Sequence, residues 1–181
     1  MADLPLGAEL DWAPVGQPPR RPLRGRHVLV RPVDPAADAG PLYELSHAPA
    51  GDPSIWTYLP DGPYESAEDL RGMLTWAETA EGSLYFTLAS PDDRPLGLAS
   101  YQRITPEFGV IEIGHIWFGP PLRRTTAATE AIYLLARQAF DDLGYRRLEW
   151  KCNALNAASR RAAERFGFTF EGVFRNHMVV K

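Results

Sequence analysis

The spacing of apolar and polar positions changes along this chain, and each change marks an element. The run HVLVR from His27 to Arg31 is β-branched and ends at Pro32, which has no N–H for a ladder interior, so it predicts a first strand. Asp34 before Pro35 is an N-cap followed by a first-turn proline. With Leu42 and Leu45 it predicts a short helix whose ends are blurred by Gly40 and Pro41. An aromatic, proline-punctuated loop, IWTYLPDGPYE, then gives way to Ser66 with Asp69 three positions on, a capping pair. The stripe Leu70, Met73, Leu74 and Ala77 predicts the helix that follows. LYFTLAS from Leu84 and LGLASYQRI from Leu96 flank the turn sequence PDDRP and predict a hairpin. VIEIGHIWF from Val110 is the longest β-rich run and is expected at the centre of the sheet. Ala128, Ala131, Ile132, Leu135, Ala139 and Leu143 recur at helical spacing, predicting a helix over about 126–143 that stops at Gly144. A strand RRLEWKC, a helix over about 156–166 and a closing strand complete the chain.

This order predicts an α/β fold with a mixed central sheet, antiparallel in its N-terminal half, with a parallel strand in its C-terminal half and about four flanking helices. Ligands in such sheets gather where neighbouring strands diverge. Alternation places Val110, Glu112, Gly114 and Ile116 on one face of the long strand and His115 on the other. Residues 1–25 carry Pro5, Pro14, Pro18, Pro19 and Pro22 and read as an extended arm, with Leu10 and Trp12 available to dock; residues 26–181 form the domain proper.

Composition narrows the function classes. The 181 residues fit one domain with a tail, and 19 basic against 23 acidic side chains give a net charge of −4, so no nucleic acid or anionic membrane partner is expected. The single cysteine, Cys152, forms no intramolecular disulfide and points to a reducing, cytoplasmic setting. Four scattered histidines lack metal-ligand spacing, so no metal is expected. No apolar run approaches the roughly 20 residues that span a bilayer.

Three places carry candidate chemistry. The turn Leu122-Arg-Arg-Thr-Thr-Ala-Ala128 opens the long helix, and helix starts present unpaired N–H groups and partial positive charge. Arg123 and Arg124 add charge where phosphates would sit, or simply solvate the helix with Thr125 and Thr126 as caps. Glu112 lies among apolar neighbours on the long strand, either as a proton acceptor with a raised pKa or as a sheet glutamate paired with an arginine. Asn156 and Ser159, at i and i+3, share the first turn of the last helix, where an N-cap and a polar turn would also fit. Cys152 has no histidine partner in sequence and reads as packing at a strand end. Asp52, Asp61 and Glu65 would attract a cationic amine, or stay solvated.

Taken in this order, the arginine turn, Ala128-Thr129-Glu130-Ala131, the N-x-x-S at Asn156 to Ser159 and the closing Glu164-Arg-Phe-Gly-Phe168 resemble the GNAT acetyltransferase superfamily. Within it the chain is similar to the RimJ/RimL-like branch, from about His27 to the end. The resemblance implies acetyl-CoA as cosubstrate, no metal, and transfer of an acetyl group to a primary amine by direct attack, the acceptor being a protein N-terminus or a small amine. The family's phosphate turn, Q/R-x-x-G-x-G/A, stands here as Arg123-Arg-Thr-Thr126-Ala-Ala128, with a β-branched residue at the first glycine. The amides from Arg124 through Thr125, Thr126 and Ala127 to Ala128 are then expected to cradle the pyrophosphate, and backbone groups near Trp117 and Phe118 to pair with the pantetheine arm. Glu112, eleven residues before Arg123, takes the general-base position. Asn156 and Ser159 take the pair that touches the pantetheine arm. Many members use a tyrosine four residues beyond that serine to protonate the leaving thiolate; here Ala163 stands there, leaving Ser159 or a water. Trp56, Tyr58 and Tyr64 fall where the acceptor pocket is built, and about half of them are expected to be plain core instead. The alternative is a catalytically inactive acyl-CoA-binding module that keeps the fold. The branch normally ends in a further hairpin strand, whereas this sequence stops at Met178-Val-Val-Lys181; either the chain is truncated, or a partner or the N-terminal arm supplies the missing pairing, and since an unpaired edge would invite association a homodimer is expected.

Overall fold

The computed structural model describes residues 4–47 and 49–181. Six strands form one sheet in chain order: β1 (Leu23–Arg24), β2 (Leu29–Pro32), β3 (Leu84–Ala89), β4 (Pro95–Thr105), β5 (Val110–Phe118) and β6 (Arg147–Glu149). The first five pair antiparallel and β6 pairs parallel to β5. Among the described residues four α-helices flank the sheet: α1 (Pro35–Ser46), α2 (Ala67–Thr79), α3 (Thr126–Arg137) and α4 (Ala157–Arg165). The mixed sheet and helix count match the reading above.

Local sequence sets the helix starts. The Asp34 carboxylate accepts from the N–H groups of Ala36 and Ala37 at 3.0 and 3.1 Å, with Pro35 supplying the first helical residue. Ser66 Oγ accepts from Asp69 N–H at 3.2 Å and donates to the Asp69 carboxylate at 2.7 Å. Burial then places the layers. Phe86, Ile111, Ile113, Ile132 and Leu135 pack between the sheet and α3. Leu42, Trp56, Leu70, Leu74, Tyr85, Leu98 and Trp117 pack on the opposite face, under α1 and α2.

A buried polar knot ties α1 to the sheet. Asp38, on α1 and fully buried, accepts from both guanidinium nitrogens of Arg31 (2.9 and 2.6 Å), from Asp34 N–H (2.8 Å) and from Thr87 Oγ1 (2.5 Å). Arg31 also donates to Asp93 in the β3–β4 turn at 2.5 Å. The carboxylate holds the Arg31 guanidinium well above its usual range.

Four expectations change. The helix from Thr126 ends at Arg137, and Gln138–Asp142 forms a wider turn in which Leu143 N–H reaches Gln138 C=O at 3.0 Å. That extra slack lets Tyr145 N–H bond Ala139 C=O at 2.9 Å while Ala139 stays buried. The strand expected over RRLEWKC keeps only Arg147–Glu149, because β5 diverges from it beyond Glu112. Among the described residues no strand follows α4; Glu171 is instead gripped by Arg147 through two bonds of 2.7 and 2.6 Å, and Phe170, Val173 and Phe174 stay exposed. β1 also falls inside the segment expected as an arm.

Trp12 and Val15 of that segment pack on the β4–β5 turn. Trp12 Nε1 donates to Glu107 C=O at 2.9 Å, Val15 N–H to Pro106 C=O at 3.1 Å, and the Arg146 guanidinium lies over the Trp12 ring, whereas Leu10 is exposed. Gly109 permits this contact: its φ is +60°, and a Cβ there would come within 2.4 Å of the indole. Gly109→Ala is therefore expected to expel Trp12 and cost about 1–3 kcal/mol. A thermal melt with a red-shifted tryptophan emission would confirm it, and an unchanged spectrum would refute it.

Candidate functional site

The cleft is made by two strands that part. β5 and β6 pair only at Val110–Arg147, Ile111–Leu148 and Glu112–Glu149, yet β5 continues to Phe118 against β4. From Ile113 onward the β6-facing edge of β5 has no strand partner among the described residues. That edge offers backbone N–H and C=O groups to an extended ligand, at the place where a doubly flanked sheet binds ligands. α3 begins after β5 and α4 begins after β6, so two helix N-termini stand at the mouth.

A bulge re-aims β5 inside this cleft. Ser100 is opposite Gly114 and Leu98 opposite Trp117, so His115 and Ile116 together face the single residue Ala99. His115 takes the extra step with φ +47°. Its ring packs edge-on against Tyr85, 5.4 Å between centroids, in the layer under α1 and α2. Ile111 and Ile113 point to the α3 layer, so Glu112 and Gly114 also face α1 and α2. His115 thus shares the Glu112 face, contrary to simple alternation, because the bulge shifts the phase by one residue. Trp117, restored to the same layer, is buried against Trp56, and Phe118 is half-buried.

Glu112 is buried, its side chain 4% exposed, and it forms an ion pair with Arg103. Its surroundings are therefore polar rather than the apolar ones expected. Gly114 makes room for the carboxylate, since a Cβ there would lie 3.0 Å from Oε1 and 2.8 Å from the Gln102 amide oxygen. Arg103 reaches it from a second irregularity in β4, between Gln102 and Thr105, with φ +45°. Burial pulls the Arg103 guanidinium below its usual pKa, opposed by the charge of Glu149.

The turn before α3 resolves the threonine departure. Thr125 is the N-cap: its hydroxyl accepts from Ala128 N–H at 3.2 Å and donates to Leu122 C=O at 2.7 Å. Thr126 is the first helical residue, and the left-handed conformation falls on Arg124, φ +60°. A β-branched residue at position 126 is therefore unstrained. The N–H groups of Thr126 and Ala127 precede the first intrahelical acceptor and point out of the helix. Arg124 is exposed, while Arg123 is committed: its Nε donates to Phe118 C=O at 2.9 Å and its guanidinium pairs with Asp52.

Asp52 caps the 3₁₀ turn Pro53–Tyr58 through Ser54 N–H at 2.9 Å. Its bonds from Ser54 and Arg123 hold its pKa down at about 2, against a usual value of 3.8. A depressed carboxylate stabilises the folded state above its unfolded pKa and loses that contribution as pH falls through about 2. The clasp is thus expected to persist to pH 4 and open between pH 4 and 2. Asp52 is well solvated, so Asp52→Asn at neutral pH should open the clasp at a cost of under about 1 kcal/mol, read by urea denaturation.

At the α4 start, Asn156 Oδ1 accepts from Ser159 N–H at 3.0 Å, the capping role. Ser159 Oγ accepts from Trp150 Nε1 at 2.9 Å, which leaves its own proton free to be donated. Trp56 is 1% exposed, donates to Ser46 C=O at 3.0 Å and packs on His47, Tyr64 and Trp117. It anchors its loop from beneath, which is the core reading of this aromatic and not the pocket one. Tyr58 is partly exposed on that loop, and Tyr64 donates its hydroxyl to Asp61. Sequence reasoning did not assign Arg103 a role and placed His115 on the wrong face; both depend on irregularities in the β4–β5 register, for which the residues carry no local signal.

A family profile described as an acetyltransferase (GNAT) domain matches residues 27–169. The chain belongs to the GNAT acetyltransferase family. A GNAT-family acetyltransferase structure from Chromobacterium violaceum is 40% identical, with a TM-score of 0.90, covering 99% of this chain and 90% of that one. A GCN5-related N-acetyltransferase from Brucella melitensis is also 40% identical, with a TM-score of 0.88, over 94% of this chain and 77% of that one. The fold extends to a spermidine N-acetyltransferase from Vibrio cholerae solved with CoA and spermine, at 18% identity and a TM-score of 0.67, over 85% and 88% of the two chains. A search of curated proteins finds no match. Acetyl transfer is thus the chemistry of the family to which this cleft belongs.

Proposed function

We propose that this GNAT protein is an acetyl-CoA-dependent N-acetyltransferase that acetylates a primary amine by direct attack. The parting of β5 from β6 carries the reading: it leaves a backbone edge along Ile113–Phe118 between two helix starts. The pantetheine arm would add to that edge near Trp117 and Phe118. The pyrophosphate would rest on the turn from Arg124 to Ala128, meeting the N–H groups of Thr126 and Ala127 and the charge of Arg124. Backbone N–H at the bulge would polarise the thioester carbonyl. Glu112, directly or through water, would accept a proton from the attacking nitrogen, and Ser159 would protonate the leaving thiolate. A protein N-terminus, as the RimJ/RimL-like resemblance implies, and a small polyamine, as the spermidine enzyme takes, are both acceptors of this chemistry.

The Arg103–Glu112 ion pair favours a second reading, an acyl-CoA-binding module without turnover, because an arginine-paired carboxylate is a poor proton acceptor. Isothermal titration with acetyl-CoA, followed by thiol release against polyamines, amino acids and N-terminal peptides, separates the two. Binding with amine-dependent release supports the enzyme; binding without release supports the module; no binding refutes both.

A further inference from the structure

Asp61 and His115 form a polar pair on the Glu112 side of the cleft that the roles above leave unused. Asp61 Oδ1 lies 3.4 Å from His115 Nε2, and both atoms are buried without a hydrogen-bond partner. The His115 side chain is 5% exposed and that of Asp61 28%, so Asp61 is the member of the pair that solvent reaches. The other Asp61 oxygen accepts from the Tyr64 hydroxyl, a neutral donor. Among the described residues no lysine or arginine pairs with Asp61, and burial pushes His115 toward its neutral form, with the charge of Asp61 opposing it. The field of this lone carboxylate is felt around it: burial and then Asp61 raise the pKa of both Tyr64 and Tyr85. On this face of β5 Glu112 and Arg103 neutralise each other, and the Lys181 ammonium donates to the Trp56 carbonyl on the loop that leads to Asp61 without pairing with that carboxylate. A largely buried anion without a paired cation, beside the bulge where a thioester would sit, calls for one.

We propose that Asp61 and His115 constitute the acceptor subsite: Asp61 binds the ammonium form of the amine, and His115 takes its first proton. The inference rests on the acetyl-transfer reading above. Proton transfer from ammonium to imidazole leaves one positive charge beside Asp61 throughout, so the step needs no desolvation of a new charge. The freed lone pair then forms the C–N bond to the thioester carbonyl carbon. The nitrogen gives its second proton to Glu112 and keeps the third in the amide, and the C–S bond breaks onto sulfur, which takes the Ser159 proton. His115 and Glu112 each return one proton to solvent and Ser159 regains one, so one proton is released per turnover. Acceptors that carry an ammonium are selected over neutral nucleophiles.

The test uses Asp61→Asn and His115→Asn, the latter because asparagine tolerates the left-handed backbone at that position. With the best amine from the panel, Asp61→Asn should raise the acceptor KM at least about tenfold at unchanged acetyl-CoA affinity. His115→Asn should lower kcat about 100-fold or more and remove the acid limb from the pH profile of kcat/KM. A direct probe runs beside the kinetics: ethanolamine added to the CoA-saturated protein should shift the His115 imidazole resonances, and uncharged ethylene glycol should not. Unchanged KM and pH profile in the variants, or resonances indifferent to ethanolamine, overturn the proposal. If no amine in the panel is acetylated, the acetyl-transfer reading fails by itself, and the ethanolamine shift still decides whether Asp61 and His115 bind an ammonium.

Discussion

Glu112→Gln is expected to leave acetyl-CoA affinity within about twofold and to lower kcat by about 100- to 10,000-fold. The two effects separate because the residue lies on the face turned to α1 and α2, away from the β5 edge and the α3 turn that would hold the cosubstrate. Glutamine keeps the shape that Gly114 makes room for. It also leaves Arg103 without its anion, but that guanidinium is 46% exposed and can be solvated, so the fold should persist. Titration calorimetry and single-turnover thiol release would read the two quantities. An unaltered kcat would make Glu112 a structural partner of Arg103 alone.

The largest loss of stability should come from Asp38→Ala. Asp38 satisfies two guanidinium nitrogens, one backbone N–H and one hydroxyl from a fully buried position, and truncation strands all four. Removing one member of a buried ion pair costs about 3–5 kcal/mol. Arg31 retains Asp93, which favours the lower half of that range. For a chain of this size the melting temperature should fall by about 6–16 °C. Urea denaturation of the variant would give the free energy directly; a loss under about 1 kcal/mol would show that solvent reaches Arg31 once the carboxylate is gone.

What the amino-acid sequence revealed and what it hid divide by range. The starts of α1, α2 and α4 were legible because Asp34, Ser66 and Asn156 bond backbone groups only two or three residues on. The strand carrying Glu112 was legible as a long β-rich run. The turn that opens α3 was legible from its arginines and threonines, though its left-handed residue is Arg124 and not the threonine in the glycine position. Contacts across the sheet left no comparable trace: Arg103 meets Glu112, and Asp61 meets His115, across nine and 54 residues by virtue of strand register and loop path. Trp56 has the composition of a pocket aromatic, and only its indole bond to Ser46 and its enclosing rings show it to be core.

Counting along β5 gives the bulge a further meaning. Up to Gly114 the even-numbered residues belong to the α1 and α2 layer; after it the odd-numbered Trp117 does. Deleting either His115 or Ile116 would cancel that parity change. Trp117 and Phe118 would keep their places opposite Leu98 and Gly97, and Gly114 its place opposite Ser100, so the extra residue alters only the short stretch facing Ala99, where it swings the imidazole round to the side of Glu112.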